Sequence, residues 1–134
     1  MAETRNFGHF RIRALRSFGA VRAGDVGGWV EREDQLSHDG LCWVGGNARV
    51  RGNANVRGNA LVCGSAVVRG NAHLSGFANV CGSAVVDGSA LVCGNAHIRG
   101  NAHIRGNARI DGSVVIDGNT VVDDGYIVIV ARGI

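Results

Sequence analysis

The sequence has no lysine, no proline and few aromatic side chains. All 14 basic residues are arginine, and Phe, Trp and Tyr together make up 5% of the 134 residues. Because so few large side chains cannot fill the core of an ordinary globule, any core must be narrow and repetitive. The 22 glycines would indicate disorder if they were scattered. They are periodic instead, and a periodic glycine pattern indicates a repeat fold.

The sequence also lacks long apolar runs and a strong charge imbalance. No run of about eighteen apolar residues occurs, so we expect no transmembrane helix and no membrane partner. The segment MAETRNFGHF has no apolar signal core, which predicts a cytoplasmic protein of the producing cell. In that compartment the four cysteines begin as free thiols. The net charge of +3, without interleaved basic and aromatic residues, argues against a nucleic-acid partner.

A six-residue repeat runs through most of the chain. Glycine recurs at every sixth position from Gly46 to Gly118, and Val, Leu or Ile stands two residues before each of these glycines. Ala stands two residues after each glycine from Ala48 to Ala108. Asn or Ser directly follows the glycine, with Phe77 as the exception. The unit is therefore Gly-Asn/Ser-Ala-x-Val/Ile-x.

This period excludes a helix and predicts short strands. Six residues on a helix turn through about 240°, so successive aliphatic side chains would point in three directions. On a strand six is even, so Ala and Val always share one face. Gly and Asn tolerate the positive φ of a tight corner between such strands. Each unit is then a strand with Ala and Val inward and the two x positions outward, stabilised by the units above and below.

Residues 41–124, with thirteen hexads in register, resemble the hexapeptide-repeat family. The resemblance implies an all-β fold, a left-handed parallel β-helix of triangular cross-section in which three hexads, or eighteen residues, complete one coil. It also implies a homotrimer. Residues 44–134 would form this β-helix, with an apolar strand at the C-terminal end.

Residues 1–43 are predicted to form an N-terminal cap. Phe10, Ile12 and Ala14 alternate with arginines, which indicates a half-buried strand. Val26, Gly28 and Gly40 keep the later register and predict one degenerate coil. This segment also resembles the N-terminal part of prophage-type hexapeptide-repeat proteins, which are often labelled acyltransferases. The matching positions are Gly24, Asp25, Gly27, Gly28, Trp29, Glu31, Leu36 and Ser37. A specific recognition role for the segment stays open beside the capping role.

A coil of three hexads places residues eighteen apart on top of one another. The outward mid-strand column of the first face is Arg49, Val67, Val85, His103 and Val121. That of the second face is Asn55, His73, Leu91, Arg109 and Ile127. That of the third face is Trp43, Leu61, Asn79, His97 and Val115.

An apolar outward column indicates a partner surface. Val67, Val85 and Val121 make the first face the predicted trimer interface. Ile127 and Ile129 fall on outward positions of the last strand, and we expect the cap or another subunit to cover them. The alternative is that β-branched residues there simply suit strands.

Histidine and cysteine positions offer further candidate sites. His97 and His103 occupy the same slot of successive hexads, so they should lie on different faces, and no zinc site is expected. Cys63 and Cys81 should stack on an outward position, but parallel side chains give poor disulfide torsions, so we expect free thiols. Cys42 falls on an inward slot.

Arginines make part of the surface basic. Arg51, Arg69 and Arg105 fall on one outward column with Asp87 between them, and Arg99 adds to the basic surface. A small anionic ligand could bind such a surface, with His97 and His103 contributing. The alternative is a solvated face that keeps a narrow rod soluble.

Three functions follow as hypotheses. The first is a non-catalytic structural or binding module, a phage or prophage accessory protein that oligomerises and needs no cofactor; no inserted loop interrupts the hexads, and function tends to reside in loops. The second, implied by the resemblance, is an acyltransferase that uses acyl-coenzyme A, with His103 or His97 as general base and an arginine such as Arg105 near the phosphates. The third is a binder of a nucleotide or similar anion in grooves between subunits.

Overall fold

The computed structural model describes residues 2–6, 9–37, 40–123 and 126–129, with side chains in 10–37 and 40–123. These residues form strands, turns and a short 3-10 helix, Glu33–Gln35, and no α-helix is found among them. The strands make three sheets that surround one apolar core. The predicted all-β solenoid is therefore confirmed.

Each sheet forms one face of a prism, and the faces are named as in the sequence analysis. The first face contains β1 Ala2–Asn6, β2 His9–Arg13, β3 Val26–Val30, β5 Arg49–Val50, β8 Val67–Val68, β11 Val85–Val86, β14 His103–Arg105 and β17 Val121–Asp123. The second face contains β6 Asn55–Val56, β9 His73–Leu74, β12 Leu91–Val92, β15 Arg109–Gly112 and β18 Tyr126–Ile129. The third face contains β4 Trp43–Val44, β7 Leu61–Val62, β10 Asn79–Val80, β13 His97–Ile98 and β16 Val115–Ile116.

Parallel pairing between coils has the predicted register of three hexads. Val67 lies beside Val85, and Val85 lies beside His103, on the first face. The same step holds on the other two faces, where Leu91 lies beside Arg109 and Asn79 beside His97. Backbone N–H groups of each coil donate to carbonyls of the next coil at 2.7–3.1 Å along most of the prism. The three predicted outward columns are thus confirmed through residues 103, 109 and 115, and on the first face also at Val121.

The core consists of the inward alanines and aliphatic residues. Every repeat Ala and aliphatic residue from Val44 to Ile110 is at most 1% exposed. Burial of each Val or Ile side chain contributes about 1.5–3 kcal/mol, most of which the ordering of the chain offsets. Because one Ala and one Val or Ile fill each side of a coil, the prism needs no aromatic residue in its repeats.

The N-terminal segment extends the first face and covers the first coil. β2 pairs antiparallel with β3, and Ile12 and Ala14 are buried in the core, as the alternating pattern predicts. β3 in turn pairs parallel with β5. The cap therefore continues a sheet of the prism instead of lying across its end.

The register of the degenerate coil differs from the prediction at Val26 and Gly28. A step of three hexads would place Val26 beside Val44, but Val30 takes the buried position beside Val50, which is a step of twenty residues, and Val26 is exposed. Gly28 accordingly lies under Ala48, where an added Cβ would collide with the Ala48 carbonyl oxygen. Gly40 does lie in the predicted register, against Gly58.

Two additional residues between Leu36 and Val44 explain the difference. Leu36 bridges to Val56, whereas Trp43 pairs with Leu61, so the step to the next coil is longer by two positions at Leu36 than at Trp43. Because the insertion is even, side chains before and after it keep their inward or outward direction. Gln35, which is fully buried, fills this coil by donating to the carbonyls of Gly52 and Ala54.

The last coil is one residue short. β18 pairs with β15 so that Tyr126 lies beside Arg109 and Ile127 beside Ile110. The prediction that Ile127 continues the Arg109 column is therefore wrong, because the backbone step here is one position shorter than three hexads. The side chains of Ile127 and Ile129 lie outside the described residues, and their predicted interface role stays a prediction.

Cys63 and Cys81 form a disulfide between neighbouring coils, which corrects the expectation of free thiols. Their Cα atoms are 4.6 Å apart, within the range that a disulfide spans. Stacked outward side chains on adjacent coils can thus reach each other across one inter-strand step. Cys42 is buried as predicted, and burial raises the pKa of its thiol. Cys93 is a half-buried free thiol.

Candidate binding groove

His97 and His103 lie on different faces, as predicted. His97 belongs to β13 on the third face, and His103 belongs to β14 on the first face. Each therefore has its own surroundings, and the two do not form a joint site.

His103 lies beside an ion pair on the first face. Its Nε2 atom is buried, has no hydrogen-bond partner among the described residues, and is 3.9 Å from a carboxylate oxygen of Asp87. Arg69 contacts the same carboxylate at 3.0 Å. Partial burial acts to raise the pKa of Asp87, but hydrogen bonds from the Gly88 N–H and Arg69, with the positive charge of Arg69, hold that pKa below its ordinary value. Asp87 therefore stays a carboxylate that neutralises this cluster.

The remaining arginines of the predicted anion site are mostly paired across coils as well. Arg105 contacts Asp123 at 3.3 Å, and Arg99 contacts Asp117 at 3.2 Å. Arg51 lies on the same outward column as Arg69, one coil away. Three of the four arginines predicted to bind an anion are thus engaged by carboxylates of the same chain, and the structure does not gather them into one pocket.

A groove of about 400 Å³ lies on the third face, between the sheet and a loop of the N-terminal segment. The loop closes on itself because Phe18 and Val21 exchange backbone hydrogen bonds of 2.8 and 2.9 Å. The Phe18 ring packs edge-on against Trp43, with ring centroids 5.7 Å apart. Trp43 is 7% exposed and so anchors the loop against the sheet. We call this site the third-face groove.

Apolar side chains line much of the third-face groove. Phe18 belongs to the loop, and Trp43 and Leu61 are neighbours in the sheet of the third face. Phe77 belongs to the rim and is 60% exposed. It occupies the corner position where every other hexad has Asn or Ser, so its side chain stands outside the prism.

The polar groups of the groove are uncharged amides and one histidine. Asn59, Asn79, Asn95 and His97 line it, and among the described residues that line it none is Asp, Glu, Lys or Arg. The Asn59 Oδ1 atom accepts a hydrogen bond from the Leu41 N–H at 2.9 Å. A smaller hollow of about 230 Å³ adjoins the groove and extends to Cys81 and Arg99. The site suits an uncharged ligand with apolar and hydrogen-bonding surfaces.

Sequence reasoning placed Trp43, Leu61, Asn79 and His97 in one outward column, but it did not recognise that this column lines a groove. The exception at Phe77 was the available signal, since an aromatic residue at a solvent-facing corner has no use in the repeat. The loop that forms one side of the groove could not be predicted. It depends on backbone hydrogen bonds that Ala14 makes with Asp25 and Gly24, and the residue pattern does not indicate these bonds.

Other kinds of site find no support in the described part of the chain. No group of three or more His, Cys, Asp and Glu side chains that could hold a metal ion is found among those residues. No helix that they form is long and apolar enough to span a membrane. The chain matches no protein-family model and no curated protein sequence.

Proposed function

We propose that this protein is a non-catalytic β-solenoid scaffold that assembles with copies of itself, as a trimer, through its first face. The observation that carries the proposal is the outward valine column, Val67, Val85 and Val121. Pairing at a constant register stacks Val67 on Val85, and His103 lies between Val85 and Val121. Val67 and Val85 are half-buried and Val121 is 53% exposed, so apolar surface of this column remains open to a partner.

Charges beside the column are paired, which lowers the cost of burying them in an interface. Arg69 is paired with Asp87, and Arg105 with Asp123, within one chain. Burying an unpaired charge is costly, whereas burying a satisfied pair avoids leaving a lone charge without water. A second copy could therefore cover the valine column without burying an unpaired charge.

The arrangement of reactive groups supports a scaffold over an enzyme. A general base must lie within hydrogen-bond reach of the group it activates, and an acyl-coenzyme A site needs cationic groups for its phosphates. In residues 10–37 and 40–123 the histidines of the repeat lie on separate faces and most of the predicted arginines are paired. Acyltransferase activity stays a prediction that turnover can test.

Self-assembly is tested with two matched substitutions. Val85→Glu places a charge in the valine column, and Leu91→Glu places the same charge in the equivalent slot of the second face; both side chains are half-buried. We expect the unmodified chain to have three times its mass of 13.9 kDa by light scattering at micromolar concentration. Val85→Glu should be monomeric, while Leu91→Glu should remain trimeric.

Two results would contradict the proposal. One is a monomer at concentrations of tens of micromolar for the unmodified chain, and the other is equal dissociation of both variants. Hydrolysis or transfer from acetyl-coenzyme A that His103→Ala abolishes would establish the acyltransferase instead.

A further inference from the structure

In the part of the chain that the structure describes, the third-face groove combines an exposed aromatic ring with three primary amides and has no charged side chain. We propose that it binds a neutral oligosaccharide. This inference does not depend on self-assembly, because the groove and the valine column lie on different faces.

The absence of charge in the groove selects a neutral ligand. A phosphate or carboxylate that leaves water requires a cation or several hydrogen-bond donors in return. None of the described lining residues carries a permanent charge, and in the adjoining hollow the Arg99 guanidinium contacts Asp117 at 3.2 Å. An anionic ligand would therefore lose hydration without compensation, whereas an uncharged one would not.

The exposed ring at Phe77 provides a flat apolar contact. Every other hexad has Asn or Ser at this corner, so the fold does not require an aromatic side chain there. A pyranose ring exposes a face of C–H groups, and such a face packs well on a phenyl ring. Leu61 and Phe18 extend the apolar surface along the groove.

The amides around Phe77 provide hydrogen bonds for hydroxyl groups. On the second face, stacked corner amides bond to each other, with Asn53 donating to Asn71 at 3.2 Å. On the third face Phe77 separates Asn59 from Asn95 by two coils, about 10 Å, which prevents that pairing. Each amide offers both donors and an acceptor, as a sugar hydroxyl also does. Amides on both sides of a ring, two coils apart, fit a ligand of more than one sugar unit.

The test is a titration of the labelled full-length chain followed by NMR of the side-chain amides. The probes are maltotriose, cellotriose and triacetylchitotriose, with trigalacturonic acid as the charged comparison. We expect at least one neutral trisaccharide to shift the signals of Asn59, Asn79 and Asn95 with a Kd of about 1 mM or tighter. Trigalacturonic acid should bind at least about tenfold more weakly, a difference of about 1.4 kcal/mol.

Variants separate the groove from general effects of the fold. Phe77→Asn returns this corner to the residue of the repeat, so the variant should fold normally and bind at least about tenfold more weakly. Asn95→Asp changes charge without changing shape and should also weaken neutral binding. Asn71→Ser, at a corner of the second face, is the matched control and should bind as the unmodified chain does.

The inference is overturned if no neutral trisaccharide shifts these signals at about 10 mM. It is equally overturned if Phe77→Asn binds as tightly as the unmodified chain, or if trigalacturonic acid binds as well as the neutral trisaccharides.

Discussion

Two separate constraints require glycine at the corners, namely the backbone conformation and the close approach of the next coil. Gly88 has a φ of 69°, in the left-handed region, and an added Cβ would lie 2.6 Å from the backbone nitrogen of Gly106 in the next coil. Gly118 has nearly the same φ, 68°, but an added Cβ would meet no atom of the described residues within 4 Å. The two positions therefore separate the cost of backbone conformation from the cost of a clash between coils.

Alanine at these two corners should have unequal effects. Gly118→Ala adds only the left-handed penalty, about 1–2 kcal/mol, to the cost of folding. Gly88→Ala adds the clash with a hydrogen-bonded backbone, and we expect it to lower the free energy of unfolding by at least about 3 kcal/mol. Urea unfolding followed by circular dichroism measures both. Equal losses would show that the stacked corners can separate to admit a methyl group.

Single residues also show how far the pattern alone could predict the site. The sequence placed His97 and His103 on separate faces because a period of six residues determines the face and the coil on which each outward side chain lies. The pairing of Arg69 with Asp87 could not be predicted from residue order alone, since the direction of a long side chain depends on its neighbours. Phe77 was recognisable as an exception in the sequence, but its place in a groove depends on the loop that faces it.

At the scale of strands, side-chain links join one coil to the next. Arg69–Asp87, Arg99–Asp117 and Arg105–Asp123 each connect residues in the same slot of neighbouring coils on the outer surface. Exposed ion pairs of this kind contribute about 0–1 kcal/mol each. The Cys63–Cys81 disulfide closes a loop over the same separation and is the stronger link.

Removal of the disulfide should destabilise the prism. A cross-link over a loop of about 15 residues contributes about 3 kcal/mol in the chain-entropy description, so the double variant Cys63→Ala and Cys81→Ala should lose up to about that amount. Cys93→Ala, at a half-buried free thiol, is the control and should lose less than about 1 kcal/mol. Urea unfolding without reductant measures the difference.

Alkylation provides an independent check of the same feature. Two thiols, those of Cys42 and Cys93, should react in the unfolded chain without reductant, and four after reduction. Four reactive thiols before reduction would show that the two coils are not linked.

Strand register was predictable where the hexad repeat is complete, and it was not predictable where the corner motif of the repeat is missing. From β4 to β17 each unit supplies its own glycine corner and aliphatic residue, so a coil of three hexads followed directly. Around Leu36 and around Tyr126 the corner motif is missing, and the coil lengthens by two positions or shortens by one. Without a corner motif, packing decides the register, and packing was not visible in the pattern.

For the whole molecule, the N-terminal segment closes an otherwise open edge. β3 would present unpaired backbone groups beside a row of apolar residues, which is a template for aggregation. β2 pairs with that edge, and Ile12 is 1% exposed beneath it. In a stack stabilised by contacts between neighbours, a cap at one end protects every coil behind it.

A polar residue under the cap should therefore affect the entire prism. Ile12→Asn buries an unpaired amide and leaves a cavity, and we expect a loss of about 2–5 kcal/mol with a tendency to aggregate. Leu15→Asn, at a position 73% exposed in the same segment, should change stability by less than about 0.5 kcal/mol. Thermal unfolding with light scattering records both quantities. An Ile12→Asn variant as stable as the unmodified chain would show that the coils do not need the cap.

The corner between Leu36 and Val44 suggests where new sequence could be grafted onto this protein. The natural chain is already longer there by a pair of residues, and the strand that follows still directs its valine into the core. Peptides with an even number of residues should be accommodated there without reversing the downstream surface, whereas odd ones would have to absorb the mismatch within the graft. The prism could in this way present a chosen epitope at a defined coil, while the outward side-chain columns of the later coils stay unchanged.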